Sequence, residues 1–94
     1  MLFTETSGRF HPGRLVATQE LLQQVPREEI LNAYARHLNC DWGEVSKEDK
    51  ARNESALQHG GHLLSAYRSK SGVRFWIITE ADRSITTCLL PSEY

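Results

Sequence analysis

Between Val73 and Leu90 the chain reads V-R-F-W-I-I-T-E-A-D-R-S-I-T-T-C-L-L. Two runs of β-branched and aromatic residues flank a short polar break at Glu80-Ala81-Asp82-Arg83, which is the pattern of a β-hairpin. Phe75, Trp76, Ile77, Ile78, Ile85, Leu89 and Leu90 give this stretch the densest apolar content in the chain, so the core has to be built on it. In the first of its strands Phe75, Ile77 and Thr79 share one face, and Trp76, Ile78 and Glu80 share the other. Both faces therefore carry large apolar groups, whereas an antiparallel sheet normally turns one face to water. The face bearing Trp76, Ile78 and, in this reading, Cys88 is left for a partner or a second subunit. Equally, Phe3, Phe10, Leu15 and Val16 could close it from within.

The rest of the chain supplies a third strand and the helices. Leu63-Leu64-Ser65-Ala66-Tyr67 reads as a strand, and Ser69-Lys70-Ser71-Gly72 as the turn into Val73, which makes a three-stranded meander. Upstream, His11-Pro12-Gly13 is a turn signal and Leu15-Val16-Ala17 a brief extended lead-in. Thr18 is an N-cap for a short helix with Leu21, Leu22 and Val25 on one stripe. Pro26 stops it and suits the first turn of a second helix, in which Ile30, Leu31, Tyr34 and Leu38 fall at helical spacing. Arg36 and His37 sit in its last turn, where cations are favoured, with Asn39 as left-handed terminator. Ser46-Lys47-Glu48-Asp49 opens a third helix that Gly60-Gly61 ends, and its inward stripe is polar, with Asp49 and Asn53 beside Ala56 and Leu57. The expected fold is α+β: two to three short helices, then a three-stranded antiparallel β-meander with the helices on one sheet face. A short N-terminal strand at one edge fits the same pattern.

Ninety-four residues make a single domain spanning 1–94. At this size roughly 60–65% of the unfolded surface is buried, so a partner can readily complete the core. The net charge of −1 argues against a protein that lives on phosphate backbones, and 12 acids against 11 bases argue against an acidic DNA mimic. No apolar run approaches the about 18 residues of a membrane span, and the N-terminus has no basic start followed by an apolar stretch. Cys40 and Cys88 read as unpaired thiols of a reducing, cytoplasmic setting.

Several segments carry a resemblance: G-R-L-V-A-T at 13–18, D-W-G at 41–43, E-D-K-A-R-N-E-S-A-L at 48–57, L-L-S-A-Y-R at 63–68, W-I-I-T-E-A-D-R-S at 76–84 and T-T-C-L-L-P-S-E-Y at 86–94. In these the chain resembles a family of small bacterial proteins often encoded on plasmids and integrative elements and labelled "plasmid-related protein" or as restriction–modification subunits. The resemblance implies a mobile-element setting, with a defence or restriction–modification component among the partners, and no catalytic residues. Cys88 stands where the family pattern implies an aliphatic side chain.

Five groups of residues are candidates for chemistry. Glu80, Asp82 and Arg83 cluster at the hairpin end, where paired carboxylates suit acid–base work or a divalent metal, but where a turn wants polar residues anyway. Trp42, Asp49, Asn53 and Tyr67 could line a pocket, or tie the third helix to the sheet through Tyr67 or strand-edge amides. His59 and His62 have H-x-x-H spacing, but the glycines between them break the helix that would aim both at zinc. Tyr67, Arg68, Arg74 and Arg83, with His59, His62 or Glu80 as base, would suit a small ribonuclease or toxin. The repeated Gly8-Arg9 and Gly13-Arg14 could line a phosphate or simply be solvated. No P-loop, dinucleotide fingerprint or Ser-His-Asp order is present, and no cofactor is expected. The leading expectation is a non-enzymatic protein that binds another protein through Trp76, Ile78, Glu80, Asp82 and Arg83. The alternatives are the ribonuclease and a homodimer joined through the sheet.

Overall fold

The three apolar runs of the C-terminal half form β2 (Leu63–Arg68), β3 (Arg74–Thr79) and β4 (Ile85–Leu89), as the computed structural model, which describes residues 8–94, shows. They pair antiparallel, with Tyr67 opposite Phe75, Ser65 opposite Ile77, Ile77 opposite Cys88 and Thr79 opposite Thr86. The sheet has a fourth strand. The lead-in becomes β1 (Arg14–Ala17) and lies parallel to β4, giving the order β1-β4-β3-β2. The sheet is therefore mixed and four-stranded: the expected three-stranded antiparallel meander forms, and the short N-terminal strand that fitted one edge joins it in parallel. Gly13 makes the junction possible. It adopts φ +66, and a Cβ there would come within 2.3 Å of the Ser84 carbonyl.

Three helices complete the α+β fold: α1 (Gln19–Gln24), α2 (Arg27–Leu38) and α3 (Lys47–His59). The Thr18 hydroxyl accepts from the Leu21 amide at 3.2 Å and the Ser46 hydroxyl from the Asp49 amide at 3.1 Å, so both anticipated N-caps form. Leu21, Val25, Ile30 and Ala33 press onto the sheet face made by Tyr67, Phe75, Ile77 and Cys88. Cys88 thus belongs to the helix-covered face, not to the open one, because it lies opposite Ile77.

The buried stripe of α2 is Ile30, Ala33 and His37, while Leu31 remains 48% exposed. This is rotated from the expected Ile30, Leu31, Tyr34 and Leu38. The cause lies on the sheet, which places three hydroxyls, Ser65, Thr79 and Thr86, on its covered face, each fully buried. Buried hydroxyls need partners, and His37 bonds Ser65 and Thr79, the second of which bonds Thr86. The left-handed residue that ends α2 is Cys40 (φ +63), one position after Asn39.

The third helix lies along the β2 edge instead of joining the others on the covered face. The Asn53 side chain donates to the Leu64 carbonyl at 2.7 Å and accepts from the Leu64 amide at 3.0 Å, standing in for a neighbouring strand. Next to it, Glu44 donates its amide to the Ala66 carbonyl and Ala66 donates to the Trp42 carbonyl. Gly43 permits this approach, since a Cβ there would sit 2.0 Å from the Ala66 oxygen. The β2 edge is thereby closed.

Candidate binding surface

The sheet face turned away from α1 and α2 carries Leu64 and Ala66 of β2, Trp76 and Ile78 of β3, and Leu89 of β4. The C-terminal segment reaches this face. After β4 the chain enters a 3₁₀ turn at Pro91–Glu93, and the Glu93 carboxylate accepts from the Leu90 amide and the Thr18 hydroxyl, each at 2.8 Å. That anchor sets the Tyr94 ring edge-on to Trp76, 5.7 Å between centroids. Tyr94 is 74% exposed and Trp76 half-buried, whereas Ile78 is buried. Of the four N-terminal residues that could close this face, Val16 lies on it, in register with Thr87 and Ile78. Phe10 stacks on Trp42, Leu15 lies on the opposite face, and Phe3 falls outside the described residues.

Beside the aromatic pair is a cleft of about 180 Å³, bordered by Arg52 and Asp49 of α3, His62, Leu64, Trp76 and Tyr94. Arg52 reaches Asp49 at 3.3 Å and stays largely in solvent. The cleft is smaller than the about 300–1,000 Å³ typical of small-molecule sites. It suits a protruding side chain better than a cofactor.

The hairpin end is tied up in local structure. Asp82 accepts from the Ser84 amide at 3.0 Å and its hydroxyl at 2.6 Å, bonds that hold its carboxyl below the usual carboxylate range. Arg83 adopts φ +61 and turns its guanidinium back onto four backbone carbonyls. One nitrogen donates to Gly61 at 2.7 Å, Glu80 at 3.1 Å and Ala81 at 3.3 Å, and the other to Ala56 at 3.1 Å. It thus joins the β3–β4 turn to the C-terminus of α3, where a cation is favoured. Glu80 is exposed. Of the five residues expected to form the surface, Trp76 is placed to meet a partner directly.

The pocket residues are likewise engaged, each separately. Trp42 is buried and donates its indole N–H to Glu54 at 3.1 Å. Tyr67 donates its hydroxyl to the Asp41 carbonyl at 2.6 Å, with Arg36 stacked 4.8 Å above its ring, and burial pushes its pKa up to about 12. Asn53 holds the β2 edge, and Asp49 borders the cleft beside Trp76.

The ribonuclease set is divided between the two ends of the sheet. Arg68 and Arg74 face each other across one end of β2 and β3. Glu80 lies six residues farther along, roughly 20 Å at the rise of a strand, at the end where His62 and Arg83 stand. Arg68 pairs with Glu44 at 3.3 Å. Among the described residues no group of three His, Cys, Asp or Glu is placed to hold a metal ion, and both cysteines are free.

A polar chain through the core escaped the sequence reading. His37, expected as a cation in the last turn of α2, is fully buried, and desolvation lowers its pKa to about 4. Its Nδ1 meets the Ser65 hydroxyl and its Nε2 lies 2.9 Å from Thr79 Oγ1. Thr79 Oγ1 is 2.7 Å from Thr86 Oγ1, which donates to the Pro12 carbonyl at 2.7 Å. A carbonyl only accepts, and with the imidazole neutral this fixes every proton. Thr86 donates to Pro12, Thr79 to Thr86, Nε2–H of His37 to Thr79, and Ser65 to Nδ1. The imidazole is neutral and bonded at both nitrogens. The signal was present in the sequence as hydroxyls on one face of all three meander strands.

Comparisons of the chain with protein-family models, with curated proteins and with solved structures return no match.

Proposed function

We propose that the chain is a small accessory protein of mobile genetic elements that binds another protein through the sheet face carrying Trp76 and Tyr94. The observation supporting this reading is the half-buried Trp76 set edge-on to an exposed Tyr94, beside a cleft rimmed by Arg52 and His62. Trp, Tyr and Arg are the residues that dominate binding energy at protein interfaces. Apolar floor and charged rim are the usual anatomy of such a surface. The mobile-element setting comes from the resemblance of the sequence motifs.

The test is capture from a host-like lysate by tagged wild type and by Trp76→Ala, each with and without nuclease, read by mass spectrometry. One stoichiometric protein, retained after nuclease and lost with a folded Trp76→Ala, is expected. Hits that vanish with nuclease, or that a folded Trp76→Ala retains, would remove this surface from consideration.

A further inference from the structure

We propose that β1 is a self-association edge, at which a second copy of this chain adds its own β1 antiparallel and joins two four-stranded sheets into one of eight. The two sheet edges differ in a way that favours this. The β2 edge is closed by Asn53 and by residues 42–44. β1 is the other end of the sheet, and among the described residues no strand lies beyond it. The Arg14 amide bonds the carbonyl of Ser84, just before β4, and the Thr18 amide bonds the Cys88 carbonyl on β4. Alternation along the strand then turns the amides and carbonyls of Leu15 and Ala17 outward. This edge has no proline and no bulge to block pairing.

Apolar surface collects at the same place. Of the four large hydrophobic side chains most exposed among the described residues, three are Leu15, Leu22 and Leu31, at 37%, 41% and 48%. All three border one groove of about 290 Å³, floored by Ala17, Ile30 and Cys88.

Geometry and charge select a second copy as the occupant. Of the antiparallel registers, only the one with its two-fold axis at Val16 uses both outward residues of each chain. It sets Leu15 opposite the partner's Ala17 and the reverse, which makes four hydrogen bonds. Shifting the axis to Leu15 or Ala17 sets one outward residue against Gly13 or against Gln19, which lies in α1. In the selected register Leu15 sits beside a small alanine on the helix-bearing face. Arg14 falls opposite the partner's Thr18, whose hydroxyl is held by Glu93. Each interface thus brings an exposed arginine to a carboxylate twice, as an isologous contact requires.

The test uses the full chain with single charge reversals. Wild type should sediment as a dimer at high micromolar concentration. Arg14→Glu and Glu93→Arg, each checked for fold by circular dichroism, should each associate at least tenfold more weakly. Their equimolar mixture should recover association, because the heterodimer restores both opposite-charge pairs. A wild type that stays monomeric, an Arg14→Glu that dimerises as tightly as wild type, or folded variants that fail to complement would each overturn the proposal. Amide exchange gives a readout independent of the Glu93 variant. Leu15 and Ala17 should be protected in concentrated wild type and exchange fast on dilution, and fast exchange at both concentrations would overturn it as well.

Discussion

Acidification should destabilise this fold through His37. The imidazole is wholly buried, and its Nδ1 accepts from Ser65, so an added proton would put an unpaired charge in the core and force the Ser65 hydroxyl to turn away. Its pKa is about 4 in the folded chain against an ordinary 6.5. Because the folded value is the lower, the unfolded chain takes up the proton first as pH falls. The stability His37 contributes is full above pH 6.5 and is lost progressively down to about pH 4. At 1.36 kcal/mol per pH unit, that window amounts to about 3 kcal/mol, a large share of the about 5–15 kcal/mol that holds a small domain together. Urea unfolding at pH 7.5 and pH 5, on wild type and on His37→Gln, isolates the effect. Glutamine can donate to Thr79 without titrating, so the variant should be less stable at pH 7.5 yet lose less on acidification. Equal pH dependence in the two proteins, or a His37 imidazole that titrates near 6.5 by NMR, would refute the reasoning.

Other side chains give sharper single outcomes. Arg83→Ala frees four backbone carbonyls at the junction of α3 and the β3–β4 turn and should cost about 2 kcal/mol in urea unfolding; a cost within about 0.5 kcal/mol, ordinary for a surface residue, would contradict the capping role. Asn53→Leu leaves the Leu64 amide and carbonyl unpaired at the β2 edge. It should cost about 2–3 kcal/mol and speed amide exchange at Leu64, and unchanged exchange there would count against the edge-closing role. Burial pushes the Cys88 thiol up to about 12, so a thiol reagent should modify the half-buried Cys40 first and Cys88 at the rate of unfolding; prompt modification of both would contradict this.

The meander was legible because its strands are short apolar runs and its turns carry Lys-Ser-Gly and Ala-Asp-Arg. The helix caps at Thr18 and Ser46 were legible for the same local reason. What a local pattern does not encode is pairing at a distance. β1 has only four residues, and its parallel alignment with β4 depends on Gly13 fitting against Ser84. The stripe of α2 was read by hydrophobicity, which chose Leu31 over His37. The sheet it meets is polar at that end, so the imidazole goes in and the leucine stays out. Arg83 and Asp82 looked like surface charge because a turn is expected to be polar. The partners of Arg83 are backbone carbonyls, which no side-chain pattern reveals, and those of Asp82 are the amide and hydroxyl of Ser84. Trp76 was correctly set apart from the helix-covered face, but the approach of Tyr94 required knowing that Glu93 pins the C-terminal turn to Thr18.

The binding surface is tested most directly by titrating purified wild type and Trp76→Ala against the captured partner by calorimetry. Removing an aromatic anchor at the centre of an interface costs at least about 2 kcal/mol, so Trp76→Ala should bind roughly 30-fold more weakly or worse while keeping the wild-type circular dichroism. A folded Trp76→Ala that binds within about threefold of wild type, less than 1 kcal/mol, would contradict the assignment of this face.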